Sequence, residues 1–268
     1  MLIKRLLVII FLAPVFIAFV VMGGWKYQFL IAAAMAVAAW EFWRIFVQGG
    51  FSPALPLLTV GSAALPLLRG IHGFDWAGMA LTAIVLLAMT WHVVEYGRGK
   101  PNAAIDFLIT LGGVLYLGWM GSYFVLIRDL PSGLWWTLLV TFSIWIADSG
   151  AFFIGSRWGN HKMFPRVSPQ KSWEGYAGGI LFAVLGTTLL AALWQTRVPE
   201  ITTMHGFWLG LIIALVTPMG DLGESLIKRQ FNVKDSSNLL PGHGGILDRI
   251  DSWLWAIAIG YYLIIFLC

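Results

Sequence analysis

Cysteine and charged residues are scarce in this chain of 268 residues. The single cysteine, Cys268, cannot form an intrachain disulfide, so a disulfide-stapled secreted fold is excluded. Charged residues make up only 11% of the sequence, against about 25% in typical soluble domains. Hydrophobic residues make up 59%, and the mean hydropathy is +0.81. This composition excludes an ordinary soluble domain and predicts a membrane protein with several spans.

Long apolar runs recur along the chain, close to the ~20 residues that a helix needs to cross a bilayer. The sequence therefore predicts an all-α polytopic membrane protein with about nine transmembrane helices. The third span is the weakest because prolines punctuate it, so eight or ten spans stay open. The first run resembles a signal peptide but has no small-x-small cleavage site, so we interpret it as a retained helix. The predicted spans are 5–22, 27–47, 54–70, 76–95, 105–127, 134–155, 176–195, 205–222 and 252–267.

The distribution of Lys and Arg predicts the topology. With nine spans and a cytoplasmic N-terminus, thirteen of the 17 basic residues fall on the cytoplasmic side, and the other four are Lys26, Arg69, Arg128 and Arg197. We therefore expect the C-terminus on the opposite side and the polar loops 156–175 and 223–251 in the cytoplasm. No repeat or low-complexity linker divides the chain. We predict one integral membrane catalytic domain, 1–268, with N-terminal helices in 1–130 and motif-bearing helices in 131–268.

The segment Ser225–Asp251 is a polar island between two apolar runs. Where it begins, Asp221, Glu224, Ser225 and Lys228 share one face of a helix with 3.6 residues per turn. The alternative is a solvated helix end, which we favour for Glu224, Arg229 and Gln230. Asp221 differs because it follows an apolar run, where a carboxylate costs about 2.5–3.5 kcal/mol unless a cation or cavity receives it.

Glycines and acids crowd the end of this island, in Leu240-Pro241-Gly242-His243-Gly244-Gly245 and Asp248-Arg249-Ile250-Asp251. Glycines let a backbone approach a ligand closely and present N–H groups to phosphate. A helix that starts here would direct its positive end to the same ligand. The alternative is an ordinary loop with an N-terminal acidic cap, which accounts for only one of the two Asp residues.

Two more polar groups precede the island. Asp148 and Ser149 lie within an apolar run, where an ionisable residue is a candidate for a functional site, although packing with Ser143 or Ser149 is the alternative. Ser172 is expected to cap the following helix, and Glu174 to add favourable charge to its first turn. Lys171 is either a topology charge or a phosphate ligand. Carboxylates with lysines at one membrane face suit Mg²⁺ and phosphate groups, which indicates phosphoryl or nucleotidyl transfer.

The ordered motifs resemble the phosphatidate cytidylyltransferase family, whose members make CDP-diacylglycerol. The resemblance is carried by the C-terminal half, with the segment Ala38-Ala39-Trp40-Glu41 adding a weaker likeness near the N-terminus. The matching residues are Ser225-x-Ile227-Lys228-Arg229, Lys234-Asp235, Ser237, Leu240-Pro241, His243-Gly244-Gly245-Ile246, Asp248-Arg249-Ile250-Asp251, Asp148-Ser149-x-Ala151 and Ser168-Pro169-x-Lys171-Ser172-x-Glu174-Gly175.

This resemblance implies an Mg²⁺-dependent nucleotidyltransferase that joins CTP and phosphatidate and releases pyrophosphate. It implies a bacterial-type inner membrane location with a cytoplasmic active site, a homodimer, use of a monovalent cation, and no nucleic-acid partner. The implied catalytic residues are Asp148, Asp221, Lys228 and Asp248. The implied metal ligands are Asp221, Asp248 and Asp251. The implied substrate-binding residues are Lys171, Ser225, Arg229, Lys234, His243, Gly244, Gly245 and Arg249.

Three rival functions were weighed against this one. A transporter would place polar residues in both halves of the chain, as inverted repeats do, whereas here they crowd into the C-terminal half. A lipid or polyprenol kinase would share Mg²⁺ and a membrane-surface site but would release a nucleoside diphosphate. The spaced DG…AR…D…D pattern of CDP-alcohol phosphotransferases is not found.

Overall fold

A computed structural model describes residues 2–240, 242 and 244–268. Over these residues the chain forms nine α-helices and one short antiparallel hairpin. The helices are α1 Leu2–Met22, α2 Gly24–Gln48, α3 Leu55–Gly97, α4 Ala103–Gly113, α5 Tyr123–Asp129, α6 Gly133–Trp158, α7 Trp173–Gln195, α8 Thr203–Gln230 and α9 Leu247–Leu267. A π-helical segment, Val114–Trp119, follows α4. The hairpin pairs β1 Lys162–Phe164 with β2 Ser168–Ser172, with Lys162 opposite Ser172.

Seven helices in the described part of the chain are long and apolar enough to cross a membrane. This confirms the predicted all-α polytopic membrane protein, while the count of nine spans and the orientation of the termini stay predictions. The apolar helix Leu55–Ile71, which is the first part of α3, is shorter. Leu55–Ile71 ends where Gly73 adopts φ 69° and ψ −148°, a conformation that breaks α3 and that glycine adopts at little cost.

The chain divides into two compact units. One comprises the residues up to Asp129 together with Ile227–Ile250, and the other comprises Leu130–Leu226 and Asp251–Cys268. The polar segment 227–250, which the sequence analysis grouped with the later helices, thus packs with the N-terminal helices. The prediction of a single catalytic domain stays a prediction.

Arg69 is a buried cation in the first unit. Its guanidinium lies 3.7 Å from the ring centroid of Trp119, 4.2 Å from Phe74 and 4.6 Å from Tyr123, and its Nη1 donates to Ser122 Oγ at 2.7 Å. The aromatic faces and the hydroxyl replace some of the hydration that the cation loses on burial. Arg69 therefore packs in the interior of this unit, although the predicted topology counts it among the four basic residues that are not on the cytoplasmic side.

Small residues let the helices of the second unit approach closely. Every fourth residue of one α7 face is small and buried, namely Gly175, Gly179, Ala183, Thr187 and Ala191. A Cβ placed on Gly179 would lie 2.9 Å from the carbonyl oxygen of Ala147 in α6, and one on Gly210 of α8 would lie 2.6 Å from that of Ala183. Close packing through small residues is the usual way in which membrane helices associate.

We expect Gly210→Ala to destabilise the second unit by about 1–3 kcal/mol, because backbone atoms must move to make room for the methyl group. Gly223→Ala is the matched control on the same helix, since a Cβ there meets nothing within 4 Å. The control should be neutral or more stable by up to about 1 kcal/mol, as alanine favours helix. Thermal unfolding in detergent, followed by tryptophan fluorescence, measures both variants. Equal stabilities would contradict the packing argument.

Candidate active site

A buried ion pair lies where α8 ends and α9 begins. Lys228 Nζ donates to Asp248 Oδ1 at 2.5 Å, and the two side chains are only 10% and 6% exposed. Asp248 Oδ2 accepts three more hydrogen bonds, from the Ser236 N–H at 3.0 Å, the Ser236 hydroxyl at 2.9 Å and the Gly245 N–H at 2.7 Å. We call Lys228, Ser236, Gly245 and Asp248 the Asp248 cluster. It brings together two of the predicted catalytic residues, 20 positions apart.

The chain that connects α8 to α9 is anchored on α2. The Phe231 ring packs against Phe46 and Phe51, with centroids 4.9 and 6.0 Å apart. Gly49 permits this contact, because a Cβ there would lie 2.3 Å from the Phe231 ring. The next residue, Asn232, has φ 55°, a left-handed conformation that turns the chain away from α8. The loop that follows therefore starts from a fixed point on α2.

The glycines of this loop leave space for side chains of the protein itself, which approach the backbone there. Gly244 has φ +82°, and a Cβ on it would lie 2.5 Å from Asp248 Oδ2. A Cβ on Gly245 would lie 2.1 Å from Ser236 Oγ and 2.4 Å from Glu41 Oε1. The substrate-binding role of Gly244 and Gly245 stays a prediction. His243 is a predicted substrate-binding residue that lies outside the described residues.

Glu41 of α2 is a site residue whose role the sequence analysis missed. It is fully buried and accepts four hydrogen bonds, from the hydroxyls of Ser236 and Ser237 and the N–H groups of Ile246 and Leu247. The N–H groups at the start of α9 therefore donate to a carboxylate of the chain, which also offsets the positive end of the helix. The sequence did contain a signal for this residue, because Glu41 is an acid inside the apolar run 27–47. Such an acid is a candidate functional residue by default.

A second ion pair joins β2 to α8 within the other unit. Lys171 Nζ lies 2.7 Å from Asp221 Oδ2 and donates to the carbonyl oxygen of Pro218 at 3.2 Å. Ser225 Oγ donates to Asp221 Oδ1 at 3.2 Å. We call Lys171, Asp221 and Ser225 the Asp221 cluster. Lys171 supplies the positive charge that the Asp221 carboxylate needs after an apolar run. The structure thus brings these three predicted residues together.

The hairpin that carries Lys171 is held at the start of α7. Ser172 accepts a hydrogen bond from the Gly175 N–H at 3.2 Å, which confirms its predicted role as the N-cap. Glu174 accepts the His161 N–H at 3.1 and 3.2 Å and contacts the His161 ring at 2.5 Å. The sequence analysis did not predict this hairpin, because its two short strands have no alternating apolar pattern.

The remaining predicted residues differ in their exposure. Asp148 and Ser149 are exposed on α6, and Ser143, the proposed packing partner of Asp148, hydrogen-bonds to Thr187 at 3.0 Å. Asp251 is buried and accepts the Ser252 N–H at 2.6 Å. Three predicted substrate-binding cations are exposed, namely Arg229, Lys234 and Arg249.

Glu224 contradicts one sequence-based interpretation. It was expected to be solvated at a helix end, together with Arg229 and Gln230. The structure leaves Arg229 and Gln230 exposed, as expected, but buries Glu224 to 1% exposure. The reason is that Glu224 lies on the same helix face as Asp221 and Lys228, which is turned towards the protein.

Taken separately, each cluster pairs a lysine with a carboxylate at the polar end of an apolar helix. In the described part of the chain, no group of three or more His, Cys, Asp or Glu side chains could hold a metal ion without other ligands. The fold and its apolar helices define a polytopic membrane protein.

Comparison with known proteins places the chain in a family. Residues 3–267 match the sequence profile of the cytidylyltransferase family, and the chain belongs to that family. It is 35% identical to the phosphatidate cytidylyltransferase of Bacillus subtilis, over 97% of each chain. It is 34% identical to the enzyme of the same name from Pseudomonas aeruginosa, over 97% of this chain and 95% of that one. The family resemblance inferred from the motifs is therefore confirmed.

We expect Lys228→Met to destabilise the protein by about 3 kcal/mol, because it leaves the Asp248 carboxylate buried without its cation. The adjacent exposed residue gives the control, and Arg229→Met should change stability by less than about 0.5 kcal/mol. Thermal unfolding in detergent compares the two. A Lys228→Met protein as stable as Arg229→Met would show that the ion pair does not hold this loop.

Proposed function

We propose that this protein transfers the cytidylyl group of CTP to phosphatidate, giving CDP-diacylglycerol and pyrophosphate. The observation that carries the proposal is the match to phosphatidate cytidylyltransferases over 97% of both chains. The two lysine–carboxylate clusters support it, because the reaction brings two polyanions together. Their negative charge has to be neutralised before a bond can form.

The chemistry is an in-line displacement at phosphorus. An oxygen of the phosphatidate phosphate bonds to the α-phosphorus of CTP, and the bond from that phosphorus to the oxygen bridging to the β-phosphate breaks. Pyrophosphate leaves with the electron pair. A phosphate monoester has a second pKa of about 6, so the attacking group is already ionised at neutral pH. A strong general base is therefore unnecessary, and positioning and charge neutralisation are the main tasks of the protein.

Lys171 and Lys228 are the residues we assign to the phosphates. An ammonium group carries three N–H donors. Lys171 gives one to Asp221 and one to the carbonyl oxygen of Pro218, which leaves a third for a phosphate oxygen. Lys228 is held at Asp248, next to the predicted glycine loop. Arg229, Lys234 and Arg249 are exposed and add positive charge that attracts the nucleotide.

The two central carboxylates differ in their fitness for Mg²⁺. A carboxylate has about four acceptor positions. Asp221 uses two of them, for Lys171 and Ser225, and so fits a metal ligand. Asp248 already accepts from three N–H donors and from the Ser236 hydroxyl that it shares with Glu41, so a metal ion there would have to replace one of them. When bound, Mg²⁺ would neutralise charge on the triphosphate and the leaving pyrophosphate. Asp251 is proposed as a further metal ligand, and Asp148 as a supporting acid.

The cellular setting is part of the same proposal. Bacterial relatives and apolar helices support an integral membrane protein of the bacterial inner membrane. The bias of Lys and Arg supports a cytoplasmic active site, where CTP is present. A homodimer and a monovalent cation are proposed from the family resemblance alone.

We expect the protein, purified in detergent, to release pyrophosphate from CTP only when phosphatidate and Mg²⁺ are present. ATP in place of CTP should give no release, and EDTA should stop the reaction. A kinase would instead release a nucleoside diphosphate. The absence of pyrophosphate from monodisperse protein would overturn the proposed function.

A further prediction concerns Asp221 as a ligand of Mg²⁺. Asp221→Asn should raise the Mg²⁺ concentration for half-maximal activity by about 10-fold or more, because a neutral amide is a weaker ligand than a carboxylate. Asp75→Asn, at an exposed acid of α3, is the control and should leave that concentration unchanged. If Asp221→Asn lowers activity equally at all Mg²⁺ concentrations, Asp221 is not a metal ligand.

A further inference from the structure

We propose that Glu41 is a positioning residue for this reaction, acting through Ser236 on Asp248 and Lys228. The inference rests on the proposed function and adds a residue from the N-terminal half to its site. Glu41 lies in α2, in the segment that carries the weaker N-terminal likeness and far in sequence from the C-terminal motifs that indicated the activity. Its hydrogen bonds span 195 to 206 positions along the chain.

Glu41 ties the two ends of the loop together. Its Oε1 accepts from Ser237 Oγ at 2.5 Å and the Ile246 N–H at 3.1 Å, and its Oε2 accepts from Ser236 Oγ at 3.1 Å and the Leu247 N–H at 2.7 Å. Each oxygen thus accepts one hydroxyl near the start of the loop and one N–H at its end. All four acceptor positions of the carboxylate are used. One side chain therefore bridges residues 236–237 and residues 246–247.

The same contacts determine where Asp248 lies. Ser236 Oγ is 3.1 Å from Glu41 Oε2 and 2.9 Å from Asp248 Oδ2, so its single O–H is shared between the two carboxylates and links them. The Ser236 N–H and the Gly245 N–H also donate to Asp248 Oδ2. Ser236 thus hydrogen-bonds to both Glu41 and Asp248. Gly245, which donates to Asp248, precedes Ile246, whose N–H donates to Glu41. Asp248 in turn holds Lys228 through its other oxygen.

A purely structural cap would behave differently from a positioning residue. A cap lowers stability when it is lost, whichever of its donors is removed. A positioning residue affects the reaction only through the contacts that lead to the reacting groups. The chain offers a matched pair for this distinction, since Ser236 and Ser237 both donate to Glu41, while only Ser236 also contacts Asp248.

The test measures CTP-dependent pyrophosphate release by full-length protein carrying Glu41→Gln, Ser236→Ala or Ser237→Ala. An amide replaces one acceptor oxygen by a donor, so Glu41→Gln cannot accept all four hydrogen bonds. Glu41→Gln and Ser236→Ala should each lower kcat/KM for CTP by about 10- to 100-fold, as loss of outer-shell partners does elsewhere. Ser237→Ala should stay within about twofold of wild type, while KM for phosphatidate stays unchanged in all three.

The double variant tests the pathway directly. If Glu41 acts through Ser236, the pair Glu41→Gln with Ser236→Ala should lose little beyond the more severe single change, because both break one connection. Equal losses for Ser236→Ala and Ser237→Ala, additive losses in the double variant, or full activity in a folded Glu41→Gln protein would each overturn the inference. If Glu41→Gln does not fold, the two serine variants decide it. An inactive wild-type protein would instead overturn the proposed function.

Discussion

The cost of placing a carboxylate in an apolar protein governs the polar half of this structure. An ionised acid away from water is tolerated only where donors or cations replace its hydration. Glu41 is matched by two hydroxyls and two backbone N–H groups, Asp248 by a lysine and three further hydrogen bonds, and Asp221 by a lysine and a hydroxyl. Satisfying the first two acids fixes the loop between α8 and α9, since that loop supplies most of their donors.

The same accounting divides the acids by role. An acid whose acceptor positions are all used by the protein serves to hold the backbone, and Glu41 is the clearest case. An acid with positions left over, such as Asp221, can still accept a cation or orient a lysine towards an anion. Asp248 lies between these cases, because one of its oxygens holds backbone and the other holds Lys228. The number of donors on each oxygen therefore distinguishes binding from scaffolding better than the presence of an acid does.

Much of the helical fold could be predicted from sequence, because a bilayer requires both an apolar surface and internally satisfied backbone groups. The run 134–155 became α6, for example, and 176–195 became α7. The predicted spans 54–70 and 76–95 leave a gap that contains Gly73, where α3 does break, although the sequence does not reveal the φ angle of that glycine. In the site, Asp221, Lys228 and Asp248 stood out as charges beside apolar runs. Their pairings did not, because Lys171 and Asp221 are 50 positions apart and helix periodicity carries no information at that range.

The glycine loop shows most clearly where sequence reasoning stops. A glycine in such a loop indicates that something approaches the backbone too closely for a side chain, and the natural inference was a phosphate. At Gly245 the approaching atoms belong to Ser236 and Glu41, and at Gly244 to Asp248. The pattern therefore reports the close approach correctly but not the identity of the approaching group. Because a Cβ on Gly245 would lie 2.4 Å from Glu41 Oε1, a larger side chain at Gly245 would displace the Glu41 carboxylate. Glu41 of α2 and the loop between α8 and α9 therefore depend on each other for their packing.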